Sequence, residues 1–209
     1  MSLLEEANYY YITDERLEIS PIEQVEIAVQ RGVKIVQYRR KEAPGKVLYE
    51  EALQISDICE DRALFIVNDR IDIALAVDAD GVHLGQCDLP YEVGKELLED
   101  RILGVSTHSL KQALEAEKMA DYVGIGPIHS TKTKDDTSEE LGIKGALEIA
   151  EKVKIPTTAI GGIKFEDLEQ LSKAFDMICA ISSVTQDKDF PEIIDKFESS
   201  FENYKVNRK

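Results

Sequence analysis

Two aspartates and a knot of cations each follow closely on a short apolar run. Asp69 comes just after Leu64–Val67, Asp88 just after Gly81–Leu84, and Arg39-Arg40-Lys41 just after Val33–Val36. Carboxylates are the ligands magnesium prefers, and it commonly shares its remaining sphere with water and substrate phosphate. Arginine grips phosphate oxygens in pairs, and lysine adds a mobile charge. If the chain is still extended past Val36, then Gln37, Arg39 and Lys41 point to one side and form a cationic finger. Thr131-Lys132-Thr133-Lys134 supplies hydroxyls and further cations on a polar stretch. Gly161-Gly162 and Ser182-Ser183 follow two more apolar runs and offer close backbone approach to a second phosphate. Blander readings stand beside these. Asp69 and Asp88 could cap the helices that follow them, the Arg/Lys cluster could be a solvated loop, and paired glycines often only end a strand.

These clusters need elements that bring them together. Apolar runs at Tyr9–Ile12, Val33–Val36, Leu64–Val67, Gly81–Leu84, Ile102–Val105, Tyr122–Ile125, Thr157–Ile160 and Met177–Ile181 read as strands. Helical patterns separate them, over about Pro21–Arg31, Lys46–Glu60, Ile71–Ala76, Tyr91–Leu98, Ser109–Met119, Ala146–Val153, Phe165–Phe175 and Phe190–Phe201. Ser20-Pro21 opens the first of these and Gly32 stops it. Eight alternations of strand and helix are what a closed parallel (β/α)8 barrel requires, and the C-terminal strand ends of such a barrel share one face. A doubly wound open sheet would more often carry a dinucleotide fingerprint after its first strand. Thr13-Asp14-Glu15-Arg16 is nothing like one.

The 209 residues, 43% of them hydrophobic, fit one α/β TIM-barrel domain spanning 1–209. Net charge is −16, from 25 basic and 41 acidic residues, which disfavours nucleic-acid partners. An anionic substrate must then be held by locally gathered cations. No membrane-length apolar run or secretory signal is evident, so a cytoplasmic location is expected. Cys59, Cys87 and Cys179 are odd in number and widely spaced, which argues against disulfides or zinc. Cys59 and Cys179 read as core residues and Cys87 as exposed. His83 reads as an interior hydrogen-bonded residue, and no nucleophile–histidine–acid constellation stands out.

Taken in order, several segments resemble thiamine-phosphate synthase. They are Gln37-x-Arg39-x-Lys41, Asn68-Asp69-Arg70, Ala79-Asp80-Gly81-Val82-His83-Leu84-Gly85-Gln86-x-Asp88, Gly104-Val105-Ser106, Gly126-Pro127-Ile128 with Thr131-Lys132-Thr133-Lys134, and Ala159-Ile160-Gly161-Gly162-Ile163. The resemblance implies a magnesium-dependent transferase. It would join a pyrimidine diphosphate to a thiazole phosphate by a dissociative route, giving thiamine phosphate and diphosphate. It implies that Asp69 and Asp88 hold Mg2+. Gln37, Arg39, Lys41, Asn68 and Lys134 would contact the pyrimidine diphosphate, and Ser106 would sit near the reacting centre. Thr131, Thr133, Gly161, Ile181 and Ser182 would contact the thiazole phosphate. Arg39, Lys41, Ser106 and Lys134 would carry the catalytic work, and the family pattern points to a homodimer. A thiazole tautomerase-like barrel and a silent phosphate-binding barrel are the alternatives. The chain departs from the family pattern at Tyr38 and Arg40, which stand where an aliphatic and an acidic residue are usual, and also at Cys87, Thr107 and Ala174-Phe175-Asp176-Met177.

Overall fold

A computed structural model describes residues 3–130, 139–186 and 189–206. Eight strands of the described residues form one sheet in chain order: β1 (Tyr10–Ile12), β2 (Ile35–Tyr38), β3 (Leu64–Asn68), β4 (Gly81–Leu84), β5 (Ile102–Thr107), β6 (Tyr122–Ile125), β7 (Thr157–Ile160) and β8 (Met177–Cys179). Every neighbouring pair is parallel. A bridge between Tyr9 and Ile178 closes β8 onto β1, and the Ile178 N–H donates to the Asn8 carbonyl at 2.9 Å. The result is the expected (β/α)8 barrel. No helix among the described residues is long and apolar enough to cross a membrane.

Among the described residues, ten helices accompany the strands: α1 (Leu3–Glu6), α2 (Pro21–Gln30), α3 (Gly45–Cys59), α4 (Ile71–Ala76), α5 (Tyr91–Leu98), α6 (Leu110–Ala116), α7 (Gly142–Ala150), α8 (Leu168–Leu171), α9 (Ser182–Thr185) and α10 (Phe190–Val206). The start of α2 shows how local sequence sets an element. Ser20 and Glu23 form a reciprocal capping box around Pro21, and Gly32 turns the chain out at φ +84°. Such a cap contributes about 1 kcal/mol.

Strand side chains alternate between two cores, as a two-residue period demands. Tyr9, Tyr11, Val36, Phe65, Val82 and Val105 pack outward beneath the helices. Tyr10, Ile12, Ile35, Ile66, Tyr122, Met177 and Cys179 fill the barrel interior. At the N-terminal end, Glu198 of α10 accepts hydrogen bonds from Asn8 Nδ2 and the Tyr9 N–H, both at 2.9 Å. Lys205 donates to the carbonyls of Ala7 and Asp176. A cleft of about 850 Å³ opens at this end, lined by Arg31, Lys34, Asp176 and Glu202 among others. It adjoins the starts of the strands, so the strand-end clusters do not reach it.

Several boundaries differ from the sequence reading for identifiable reasons. β2 begins at Ile35 because the Val33 N–H closes the end of α2 on the Ala28 carbonyl. β5 runs on through Ser106 and Thr107, which pair with Gly124 and Ile125 of β6. Helix α6 ends at Ala116, short of the expected Met119, and its Leu114 is exposed. The segment before β8 splits into a 3-10 turn (Phe165–Asp167) and α8, and β8 itself ends at Cys179. The short helices α1 and α9 have no strong periodic signature.

Cys59 and Cys179 are buried and Cys87 is exposed. Burial pushes the Cys59 thiol up to about 12, where almost no nucleophilic thiolate exists at neutral pH. Titration of the native protein with a thiol reagent is expected to label Cys87 alone, with Cys59 and Cys179 reacting only after denaturation. Rapid labelling of a second thiol in the native state would contradict this packing.

Candidate active site

The C-terminal strand ends gather most of the predicted residues on one rim. Gln37 lies inside β2, fully buried, and its Nε2 donates to the Tyr10 hydroxyl at 2.7 Å. Arg39 follows β2, held by its backbone. Its N–H donates to Thr13 Oγ1 at 2.9 Å, and its carbonyl accepts the Thr13 hydroxyl at 3.2 Å. The Arg39 side chain is 9% exposed, and its Nε is buried without a hydrogen-bond partner. A buried donor left unpaired costs about 1–3 kcal/mol. Lys41 is exposed, and its N–H meets Glu15 Oε1 at 3.3 Å.

Two of the departures, Tyr38 and Arg40, account for each other. Tyr38 donates its hydroxyl to Glu51 Oε2 at 2.6 Å, and Arg40 pairs with Glu51 Oε1. Glu51 belongs to α3, so Arg40 is turned to the helix layer while Arg39 stays on the rim.

Asn68 ends β3 and Asp69 follows it in the left-handed region, at φ +60°. Its N–H donates to the His83 carbonyl at 3.0 Å, which ties this turn to β4. Helix α4 is capped instead at Arg70, with no side-chain cap bond, so the capping role for Asp69 is set aside. Asp88 likewise caps no helix. Its Oδ2 accepts the Gly85 N–H at 2.7 Å across a tight turn, and α5 starts after Pro90 with no side-chain cap bond. Both carboxylates therefore stand on the connections after neighbouring strands. Left-handed backbone at a non-glycine residue costs about 1 kcal/mol, a cost that recurs where a side chain must be aimed.

Ser106 faces inward from β5. Its Oγ lies 2.8 Å from His83 Nε2, and its carbonyl accepts Gln86 Nε2 at 2.6 Å. His83 is the interior hydrogen-bonded residue the sequence indicated. Thr131, Thr133 and Lys134 lie outside the described residues.

Gly161 and Gly162 follow β7 at φ +95° and +66°. A Cβ on Gly161 would sit 2.6 Å from Pro127 Cβ, so conformation and space both require glycine there. Gly161→Ala is expected to destabilise the fold by about 2 kcal/mol or more, lowering the thermal midpoint by roughly 4–8 °C. An unchanged midpoint in a melting experiment would mean that this backbone relaxes freely.

Ile181 is half-buried against the barrel interior, and Ser182 opens α9. Beside them is a cluster the sequence reading missed. Asp14 accepts from Arg16 Nε at 2.8 Å, Arg16 Nη2 at 2.7 Å and the Thr185 hydroxyl at 2.7 Å. Burial alone would raise the Asp14 carboxyl, but these bonds together hold it below its usual range. Arg16 Nη2 also reaches Ser182 Oγ at 3.4 Å. A cation thus stands beside the proposed second phosphate position. The available signal was that Thr13-Asp14-Glu15-Arg16 follows a strand, like every other rim cluster.

Among the described residues, no three His, Cys, Asp or Glu side chains form a metal cage. Two carboxylates on adjacent connections still fit magnesium, which usually completes its sphere with water and phosphate. Arg39, cationic with a buried unpaired Nε, fits the anion such a metal would share.

The chain matches the family model described as thiamine monophosphate synthase over residues 9–184. It is 47% identical over 192 residues to a thiamine-phosphate synthase from Methanosarcina barkeri, covering 90% of this chain and 87% of that one. It is 46% identical over 177 residues to a thiamine-phosphate synthase from Pelotomaculum thermopropionicum, covering 82% and 81%. A thiamine phosphate pyrophosphorylase structure from Pyrococcus furiosus superposes with a TM-score of 0.90 at 39% identity, covering 97% of this chain and 99% of that one. More distant barrels, such as a 3-hexulose-6-phosphate synthase at 14% identity and TM-score 0.63, share the fold alone. The matched span takes in every strand from β1 to β8, and the chain belongs to the thiamine monophosphate synthase family, as an enzyme of thiamine biosynthesis.

Proposed function

We propose that the enzyme condenses 4-amino-2-methyl-5-(diphosphooxymethyl)pyrimidine with 4-methyl-5-(2-phosphooxyethyl)thiazole, giving thiamine phosphate and diphosphate. The methylene C–O bond breaks, its electron pair leaves with diphosphate, and the thiazole nitrogen forms the new bond to the methylene carbon. The observation that carries this reading is the buried, unpartnered Arg39 Nε on the rim that bears two non-capping carboxylates.

Each residue then has a task. Asp69 and Asp88 would hold magnesium, which supplies neutralising charge to the leaving diphosphate when bound. Arg39 pairs with diphosphate oxygens, with Lys41 adding charge from the rim and Lys134 from the stretch of sequence after β6. Gln37 and Asn68 face the pyrimidine, and Ser106 sits at the reacting centre. Gly161, Ile181 and Ser182, with Thr131 and Thr133, receive the thiazole phosphate. Holding the two substrates in line removes much of the entropic cost of their encounter. No protein nucleophile is required. A cytoplasmic homodimer completes this reading, and sedimentation of the purified protein measures the assembly.

The test is diphosphate release from both substrates, with and without magnesium, alongside formation of thiamine phosphate. Magnesium-dependent release matched by product supports the reading. Binding of the thiazole phosphate without release would replace it with a tautomerase-like or silent barrel.

A further inference from the structure

Five side chains from five strands form one hydrogen-bonded chain through the barrel core. Gln37 Nε2 donates to the Tyr10 hydroxyl at 2.7 Å, and that oxygen lies 2.7 Å from the Tyr122 hydroxyl. The Tyr122 hydroxyl is 2.9 Å from His83 Nδ1, and His83 Nε2 is 2.8 Å from Ser106 Oγ. All five residues are buried. Tyr10 and Tyr122 otherwise sit among Ile35, Ile66 and Met177, where phenylalanine would pack as well. Space is reserved for one of them, since a Cβ on Gly104 would lie 2.2 Å from Tyr122 Cζ.

Each hydroxyl has one proton, and a neutral imidazole has one N–H. A hydroxyl oxygen can accept two bonds, so one arrangement uses every proton within the chain, and in it the direction of one link sets the direction of the others. Gln37 donates to Tyr10, so the Tyr10 proton points to the Tyr122 oxygen. The Tyr122 proton then points to His83 Nδ1. The imidazole proton is left on Nε2, where it donates to Ser106 Oγ, and the Ser106 proton is turned away from the ring. Turning the Gln37 amide over would reverse every link. Burial raises both phenols well above their ordinary range, so neither ionises and breaks the chain at working pH.

We propose that Tyr10 and Tyr122 are positioning residues: they hold His83 in its Nε2–H tautomer, so that His83 donates to Ser106 Oγ instead of accepting the serine proton. The use of that proton, on the departing diphosphate oxygen, rests on the proposed reaction. The tautomer does not, and it is measured separately.

The experiment is histidine 15N NMR on the intact enzyme, with steady-state diphosphate release, for wild type, Tyr122→Phe and Tyr10→Phe. In the wild type, His83 is expected to carry its proton on Nε2. Tyr122→Phe removes the donor to Nδ1, so the Nδ1–H form should appear, and kcat should fall about tenfold with KM nearly unchanged. Tyr10→Phe keeps the Tyr122–His83 bond but frees its direction, so it should give a smaller change in the same sense. It carries the test alone if Tyr122→Phe does not fold. A wild-type imidazole protonated on Nδ1 overturns the proposal, as does an unchanged kcat in the folded variants. A wild type that releases no diphosphate counts against the proposed reaction, and the NMR still decides the tautomer.

Discussion

Asp69→Asn and Asp88→Asn are each expected to cut magnesium-dependent diphosphate release by about 100-fold or more. The thermal midpoint should stay close to that of the wild type. Asparagine is the informative replacement at both positions. At Asp69 it tolerates the φ of +60°, where alanine would add strain of about 1 kcal/mol. At Asp88 its side-chain oxygen can still accept the Gly85 N–H, so the turn survives while the charge is lost. The loss should shrink as magnesium is raised, because a weakened site is refilled by mass action. Full activity in both variants would remove the carboxylates from the metal site. A large fall in thermal midpoint would instead assign them a structural role.

Arg39→Met is expected to separate function from stability. Methionine keeps much of the apolar stem but removes the buried guanidinium, whose Nε has no partner. Relief of that unpaired donor should stabilise the protein by about 1 kcal/mol, raising the thermal midpoint by roughly 2–4 °C. The backbone anchor to Thr13 does not depend on the side chain, so the end of β2 should keep its course. Turnover should fall about 100-fold, since a desolvated cation facing the leaving charge is lost. Arg39→Lys should recover little, because lysine cannot reproduce a planar pair of donors. Magnesium diphosphate is expected to raise the midpoint of the wild type, and that rise should vanish in Arg39→Met. Unchanged turnover, or a midpoint that drops, would sink this account of Arg39.

The strands and helices were largely legible because their signals are local. Gly81–Leu84, Tyr122–Ile125 and Thr157–Ile160 lie where apolar runs end in polar or glycine punctuation, and α4 and α5 match their periodic segments. The boundaries at β2 and β5 were less legible. They depend on which backbone N–H groups a helix end or a neighbouring strand has already engaged.

What the sequence determined by itself was the succession of eight strand–helix units and the set of polar residues delivered to one rim. Period-two burial and turn residues act over only a few positions, so these can be read along the chain. Contacts made on folding into the barrel determine that Asp69 and Asp88 cap no helix, that Arg40 is drawn off to Glu51, and that Arg16 arrives beside Ser182. The same folding joins Tyr10 to Tyr122 and His83 to Ser106, residues far apart in the chain. Hydrogen bonds across a barrel interior depend on closure and register, and both are fixed when β8 meets β1.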